Sequence, residues 1–300
     1  MGIGVVIALC SLIGACNGNE GGPDGSTPDA GVDAGAADGG PRFVPSIQKM
    51  IKDQGPHYAM LIAHRGGMGE APENTMAAYH LAYENGAASI EIDTRPTKDG
   101  VLVIIHDSRL EVATDCTGAV AEKTWDEIRG CTVTAGIIDG FSADVRKIPR
   151  LDDVFTWVKD KVLVNLDQKS ADMDDLVAKI RAYGLTDQII FQAGSAPGCL
   201  ELEQKYPDIF CLAAIWDMSE VDYIKQNLLT NLLQFENFSH YTAENMDMIH
   251  ARGLKTTINV MASWDILPTS DKLNYLKIGG DFFQTDVPSK WKDALKRYNK

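Results

Sequence analysis

Short apolar runs rich in β-branched residues recur along the chain at 60–63, 89–92, 101–105, 162–166, 188–191, 210–215, 232–235, 256–260 and 282–285. Most are separated by segments with helical spacing, which begin near Asn74, Leu151, Met173, Gly198, Ser219, Thr242, Ser270 and Ser289. Gly86, Gly184 and Gly253 each stand where a helix should stop before the next strand. Strict alternation implies a parallel sheet, and eight such units close it into a (β/α)8 TIM barrel of the α/β class. The run 101–105 breaks the alternation, because only the turn Lys98, Asp99, Gly100 separates it from the second strand. It reads as a hairpin strand, followed over 108–150 by weak periodicity. The barrel therefore carries a short insertion after its second strand.

Three early runs end on ionisable side chains: His64 and Arg65, then Glu91 and Asp93, then His106 and Asp107. In a β/α barrel such strand ends line one mouth, where catalytic residues collect. Glu91 and Asp93 are two apart on a strand, so both face the interior. Two carboxylates at one level repel unless a cation lies between them, and hard oxygen ligands suit Ca²⁺ or Mg²⁺. The other reading of the pair is a buried ion-pair network with Arg65 or Lys169.

Five motifs follow in order within this stretch: His-Arg-Gly at 64–66, Pro-Glu-Asn-Thr at 72–75, Glu-x-Asp at 91–93, Thr-x-Asp-Gly at 97–100 and His-Asp at 106–107. Near the other end stand Thr285, Asp286 and Pro288 in a Thr-Asp-x-Pro pattern. In these motifs the chain resembles the glycerophosphodiester phosphodiesterase family. The resemblance implies divalent-cation-dependent hydrolysis of glycerophosphodiesters to glycerol 3-phosphate and an alcohol. It makes His64 and His106 the acid/base pair and Glu91, Asp93 and Asp167 the metal ligands, Asp167 being one methylene shorter than the family's glutamate. Arg65 and Lys169 would contact phosphate, and the later strand ends offer Gln192, Trp216 and Asn259 to the substrate. Glu73 would orient Arg65, and Asn74 or Thr75 would cap the first helix. Val112 and Ala113 stand where the family usually has Arg and Thr, and Thr256 where it often has Trp. The same barrel could instead serve a phospholipase C- or D-like enzyme acting on phospholipid, or a binding lipoprotein without turnover.

The ends and the composition add a location. Residues 3–13 are apolar and lead through Gly14 and Ala15 to Cys16, although no Lys or Arg precedes them. This is similar to a bacterial lipobox and predicts a signal segment over 1–16, lipid on Cys16 and a domain exported to the cell envelope, anchored to membrane. Residues 17–45 are mostly Gly, Ala, Asp, Pro and Ser and read as a flexible linker, with the barrel over 46–300. The formal charge is −14; the first 42 residues hold five acids against Arg42, which leaves −10 for the rest. That balance argues against nucleic acid as a partner. Cys116 with Cys131 and Cys199 with Cys211 form two sequence-local pairs, as expected of disulfides in an oxidising compartment.

Overall fold

The computed structural model describes residues 58–236, 238–261 and 265–299, so the expected signal segment with Cys16 and the 17–45 linker lie outside the described residues. The strands are β1 (Met60–Ala63), β2 (Ser89–Pro96), β3 (Leu102–Ile104), β4 (Leu163–Gln168), β5 (Ile189–Ala193), β6 (Phe210–Ile215), β7 (Leu232–Phe235), β8 (Lys255–Asn259) and β9 (Phe282–Thr285). All but β3 are parallel and close into an eight-stranded barrel, β1 pairing with both β2 and β9. The expected fold is the observed one.

Register decides what the barrel presents at its mouth. Glu91 pairs with Asn165, Asp93 with Asp167, and Asp167 with Gln192. Inward positions low in the barrel are apolar, with Met60, Ile62, Leu163, Ile190, Leu212, Leu232 and Phe282 in one buried cluster. Two residues further along the strands the buried side chains turn polar, at Glu91, Asn165, Gln234 and Gln284. The switch from oil to polar groups falls at the strands' C-terminal ends, so chemistry is confined to that face.

A second, larger core lies between strands and helices. The helices are α1 (Met76–Glu84), α2 (Trp125–Ile128), α3 (Leu151–Val158), α4 (Met173–Tyr183), α5 (Ala196–Lys205), α6 (Glu220–Asn227), α7 (Ala243–Ala251), α8 (Thr269–Leu276) and α9 (Pro288–Tyr298). In α3 the buried residues Leu151, Val154, Phe155 and Val158 follow helical spacing and form one stripe toward the sheet. Gly184 ends α4 with φ 67, a conformation that strains any side chain with a Cβ. Of the two candidate caps for α1, Thr75 takes the role: its hydroxyl accepts from the Ala78 N–H at 3.2 Å.

The insertion builds on β3, which runs antiparallel to the end of β2 with Thr94 opposite Ile104. The turn is held by the Thr97 hydroxyl on Asp99 at 2.6 Å. Val103, Ile105, Leu110, Val120, Ile128 and Val133 form its own small core. The short helix α2, which periodicity did not predict, starts where Glu127 accepts the Thr124 N–H at 2.8 Å. Both cysteine pairs are bonded: Cys116–Cys131 inside the insertion, Cα–Cα 5.6 Å, and Cys199–Cys211 between α5 and β6, Cα–Cα 5.8 Å. A double Cys116→Ser, Cys131→Ser variant is expected to lose about 3 kcal/mol of unfolding free energy, the chain-entropy value for a loop of this length. Urea midpoints measure it, and an unchanged midpoint would count against the bridge.

Candidate active site

Beyond Ala63 the chain turns sharply, with Arg65 in the left-handed region at φ 48, ψ 32. A non-glycine residue rarely holds that conformation without a return. Here the turn aims the Arg65 N–H at Glu91 Oε2, 2.7 Å away. The guanidinium donates to Glu73 Oε2 at 3.1 Å, and its Nε lies 3.7 Å from Asp93 Oδ2. Glu73 orients Arg65, as the sequence suggests.

Glu91, Asp93 and Asp167 offer oxygen atoms that all lie within 4.8 Å of one another, Glu91 and Asp93 being buried and Asp167 half-buried. Lys169 Nζ donates to Asp167 at 2.6 Å and lies 3.1 Å from Asp93 Oδ1. Asn74, at φ 54, donates its amide to Asp93 Oδ2 at 2.7 Å and accepts the buried Tyr79 hydroxyl at 3.0 Å. The ion-pair reading and the cation reading therefore both have a basis in the geometry, and charge counting separates them. Among the described residues the carboxylates of Glu73, Glu91, Asp93 and Asp167 face the cations Arg65 and Lys169, so acids outnumber bases by two. Asp93 Oδ1 has no partner in hydrogen-bond geometry despite its burial. A hard divalent cation matches both the residual charge and the oxygen donors.

Electrostatics record the same crowding. Burial, then the neighbouring Asp93, push the Glu91 carboxyl well above the usual carboxylate range, against the opposing Arg65 N–H. Burial works against the Lys169 charge, yet Asp93 and Asp167 raise its pKa above the ordinary lysine value. For Glu91 the sign on stability follows directly. The folded carboxyl holds its proton to higher pH than the unfolded one, so stability is lost as pH rises past the unfolded value of 4.5. In EDTA, the melting temperature of the native protein is expected to fall relative to Glu91→Gln over that window. Parallel pH profiles for the two proteins would contradict this.

His64 follows β1, and its Nδ1 lies 2.7 Å from Asp286 Oδ1 beyond β9. A carboxylate only accepts, so Nδ1 carries the proton and Nε2 is left free as a base. His106 follows β3, where the Ile105 N–H bonds to the Asp93 carbonyl at 2.9 Å and ties the hairpin to β2. Arg95 clamps the His106 carbonyl from Nε at 2.9 Å and Nη2 at 2.7 Å. The imidazole is half-buried, its buried Nδ1 3.4 Å from Asp107 and making no hydrogen bond.

Gln192, next to last in β5, and Asn259, the last residue of β8, are half-buried, Asn259 accepting the Met261 N–H at 3.3 Å. Trp216 stands just past β6 at the rim, 64 % exposed. The roles of Asn74 on Asp93, of Asp286 on His64 and of Arg95 on His106 are additions to the residues read from sequence. Asn74 and Asp286 lie inside the quoted motifs, whereas nothing in the sequence distinguishes the half-buried Arg95 from other arginines.

Two histidines thus follow strand ends near a buried carboxylate cluster at the mouth of a (β/α)8 barrel, the face on which enzymes of this fold carry their active sites. The model of the glycerophosphoryl diester phosphodiesterase family matches residues 64–257, and the chain belongs to this family. It is 38 % identical over 141 residues to a glycerophosphodiester phosphodiesterase of Caldanaerobacter subterraneus, a stretch that is 45 % of this chain and 57 % of that relative. The chain spans little more than half the length of the curated relatives it first matches, 56 % and 57 %. In fold it is similar to a glycerophosphoryl diester phosphodiesterase from Parabacteroides distasonis, with TM-score 0.71 and 22 % identity over 85 % of this chain and 93 % of that one. It is also similar to an Oleispira antarctica phosphodiesterase solved with its product sn-glycerol-3-phosphate, with TM-score 0.63 and 24 % identity over 80 % and 97 % of the two chains.

Proposed function

We propose that this chain hydrolyses glycerophosphodiesters to glycerol 3-phosphate and an alcohol. The observation that carries the reading is the His64–Asp286 pair set beside the Glu91, Asp93, Asp167 cluster. His64 Nε2 takes the proton from the glycerol hydroxyl next to the phosphate, whose oxygen attacks phosphorus. His106, the more open imidazole, gives a proton to the departing alkoxide. In the second step the roles reverse: His106 takes a proton from water, which opens the cyclic phosphate, and His64 returns its proton to the glycerol oxygen. Arg65 and Lys169 hold the phosphoryl oxygens.

Glu91, Asp93 and Asp167 would hold the divalent ion, Ca²⁺ or Mg²⁺, which supplies positive charge where the phosphoryl oxygens grow more negative. Asn74 fixes the Asp93 rotamer for that task. Asn74→Ala is expected to weaken Ca²⁺ or Mg²⁺ binding about tenfold or more, the usual cost of losing a group that orients a ligand. Calorimetric titration measures it, and equal affinities would remove Asn74 from the site. Export with lipid on Cys16 completes the reading and is supported by the apolar run that ends in Gly14, Ala15 and Cys16.

A second reading, cleavage of a phospholipid in a membrane, draws on Trp216 and Ile266, 64 % and 79 % exposed on loops at the barrel mouth. Among the described residues no helix is long and apolar enough to cross a membrane. Turnover of soluble glycerophosphocholine against phosphatidylcholine vesicles separates the two. Faster cleavage of the soluble diester supports the proposal, and cleavage confined to vesicles would replace it.

A further inference from the structure

We propose that Asp265 is a positioning residue whose buried carboxylate fixes the turn that aims Asp286 at His64. Its kinetic consequence rests on the phosphodiesterase reading above, whereas the geometry does not.

Ala63 pairs with Thr285, so His64 and Asp286 are the next residues on neighbouring strands. Past the end of β9 no ladder holds Asp286, and its direction depends on what fixes the turn. Asp265, 4 % exposed and beyond β8, does so from one side. Its Oδ2 accepts the Asp286 N–H at 2.9 Å. Its Oδ1 accepts the Trp291 indole N–H at 2.7 Å and the Thr285 hydroxyl. The same Thr285 oxygen accepts the Val287 N–H at 3.0 Å, which closes the turn around Asp286.

From the other side the Gly69 N–H donates to the Asp286 carbonyl at 2.8 Å. A Cβ on Gly69 would lie 2.9 Å from that carbonyl oxygen and 2.6 Å from Val287 Cγ1, so the approach requires glycine. Both backbone polar groups of Asp286 are thus engaged, and its carboxylate is the part left to reach His64. Lys272, itself buried, braces the same segment. Lys272 Nζ donates to the Asp265 carbonyl at 2.9 Å and lies 5.3 Å from the Trp291 ring centre. Four segments therefore converge on one turn, and the side chain at its apex is the one that sets the His64 tautomer.

In Asp265→Asn an amide NH2 replaces one accepting oxygen, so either the Asp286 N–H loses its acceptor or, with the amide flipped, the Trp291 N–H and the Thr285 hydroxyl lose theirs. With glycerophosphocholine as substrate, kcat is expected to fall about tenfold with KM within about twofold, as for a misplaced catalytic group. In an Asp286→Asn background the same change should cost nothing further, because its route to His64 is already cut. The His64 imidazole N–H proton resonance, assigned by its loss in His64→Ala, should move in Asp265→Asn without any substrate present. Trp291→Phe keeps the carboxylate but removes one bond, and should move that resonance in the same direction by less; it decides the matter if Asp265→Asn does not fold. An unmoved resonance in folded variants, or an equal loss of kcat in both backgrounds, would overturn the proposal. If the native protein leaves glycerophosphodiesters intact, the phosphodiesterase reading fails while the resonance still decides the positioning role.

Discussion

His64→Ala is expected to lower turnover of glycerophosphodiesters by about a hundredfold or more while leaving the barrel folded. The loss is large because the imidazole is the group placed to remove the proton from the attacking hydroxyl, with Asp286 fixing its tautomer at 2.7 Å. The fold should survive because His64 lies at the mouth rather than in the apolar cluster below it. His106→Ala should lose a similar factor, with a signature of its own. Diesters whose departing alcohol is acidic need little protonation, so the first release of nitrophenol from a glyceryl nitrophenyl diester should be spared in His106→Ala and not in His64→Ala, while opening of the cyclic phosphate stays slow in both. Single-turnover nitrophenol release and glycerol 3-phosphate formation read the two steps separately. Retention of most glycerol 3-phosphate formation in either variant would contradict the two-histidine scheme.

Glu91→Gln is expected to move stability and activity in opposite directions. In EDTA the variant should melt higher than the native protein at neutral pH, because a carboxyl whose ionisation burial and Asp93 disfavour is replaced by a neutral amide. With Ca²⁺ or Mg²⁺ present it should gain less from the ion and turn over substrate at least about a hundredfold more slowly. A carboxylate that served only the fold, by pairing with Arg65 or Lys169, would show the reverse: lower stability and spared activity. The contacts already lean one way, since Arg65 and Lys169 approach Asp93, whereas among the described residues the hydrogen bond to Glu91 comes from a backbone N–H. Scanning calorimetry with and without ion, alongside the assay, separates the alternatives.

Much of this site is legible in the chain because strand periodicity fixes which side chains share a face. Glu91 and Asp93 read as an inward pair from their spacing alone, and the turn at Lys98, Asp99 and Gly100 places His106 beside them. Strand limits agree within a few residues wherever an apolar run is bounded by a turn, as at Phe210–Ile215 and Phe282–Thr285. What periodicity does not carry is the direction of side chains in turns. Asn74 and Thr75 look equally fit to cap α1, and only the left-handed backbone of Asn74 turns its amide toward Asp93 instead. Asp265 has no local signal, since its partners Thr285, Asp286 and Trp291 lie 20 to 26 residues away in sequence. The insertion was opaque for a related reason: its core is a small cluster closed by Cys116–Cys131 and carries no long periodic element.

The most direct test is release of glycerol 3-phosphate from a mixture of glycerophosphodiesters by the barrel, from about residue 42 onward, in EDTA, Ca²⁺ or Mg²⁺. Release that depends on a divalent ion and is absent in EDTA is the predicted result. No release with any ion, from protein whose melting curve shows it folded, would contradict the proposed hydrolysis.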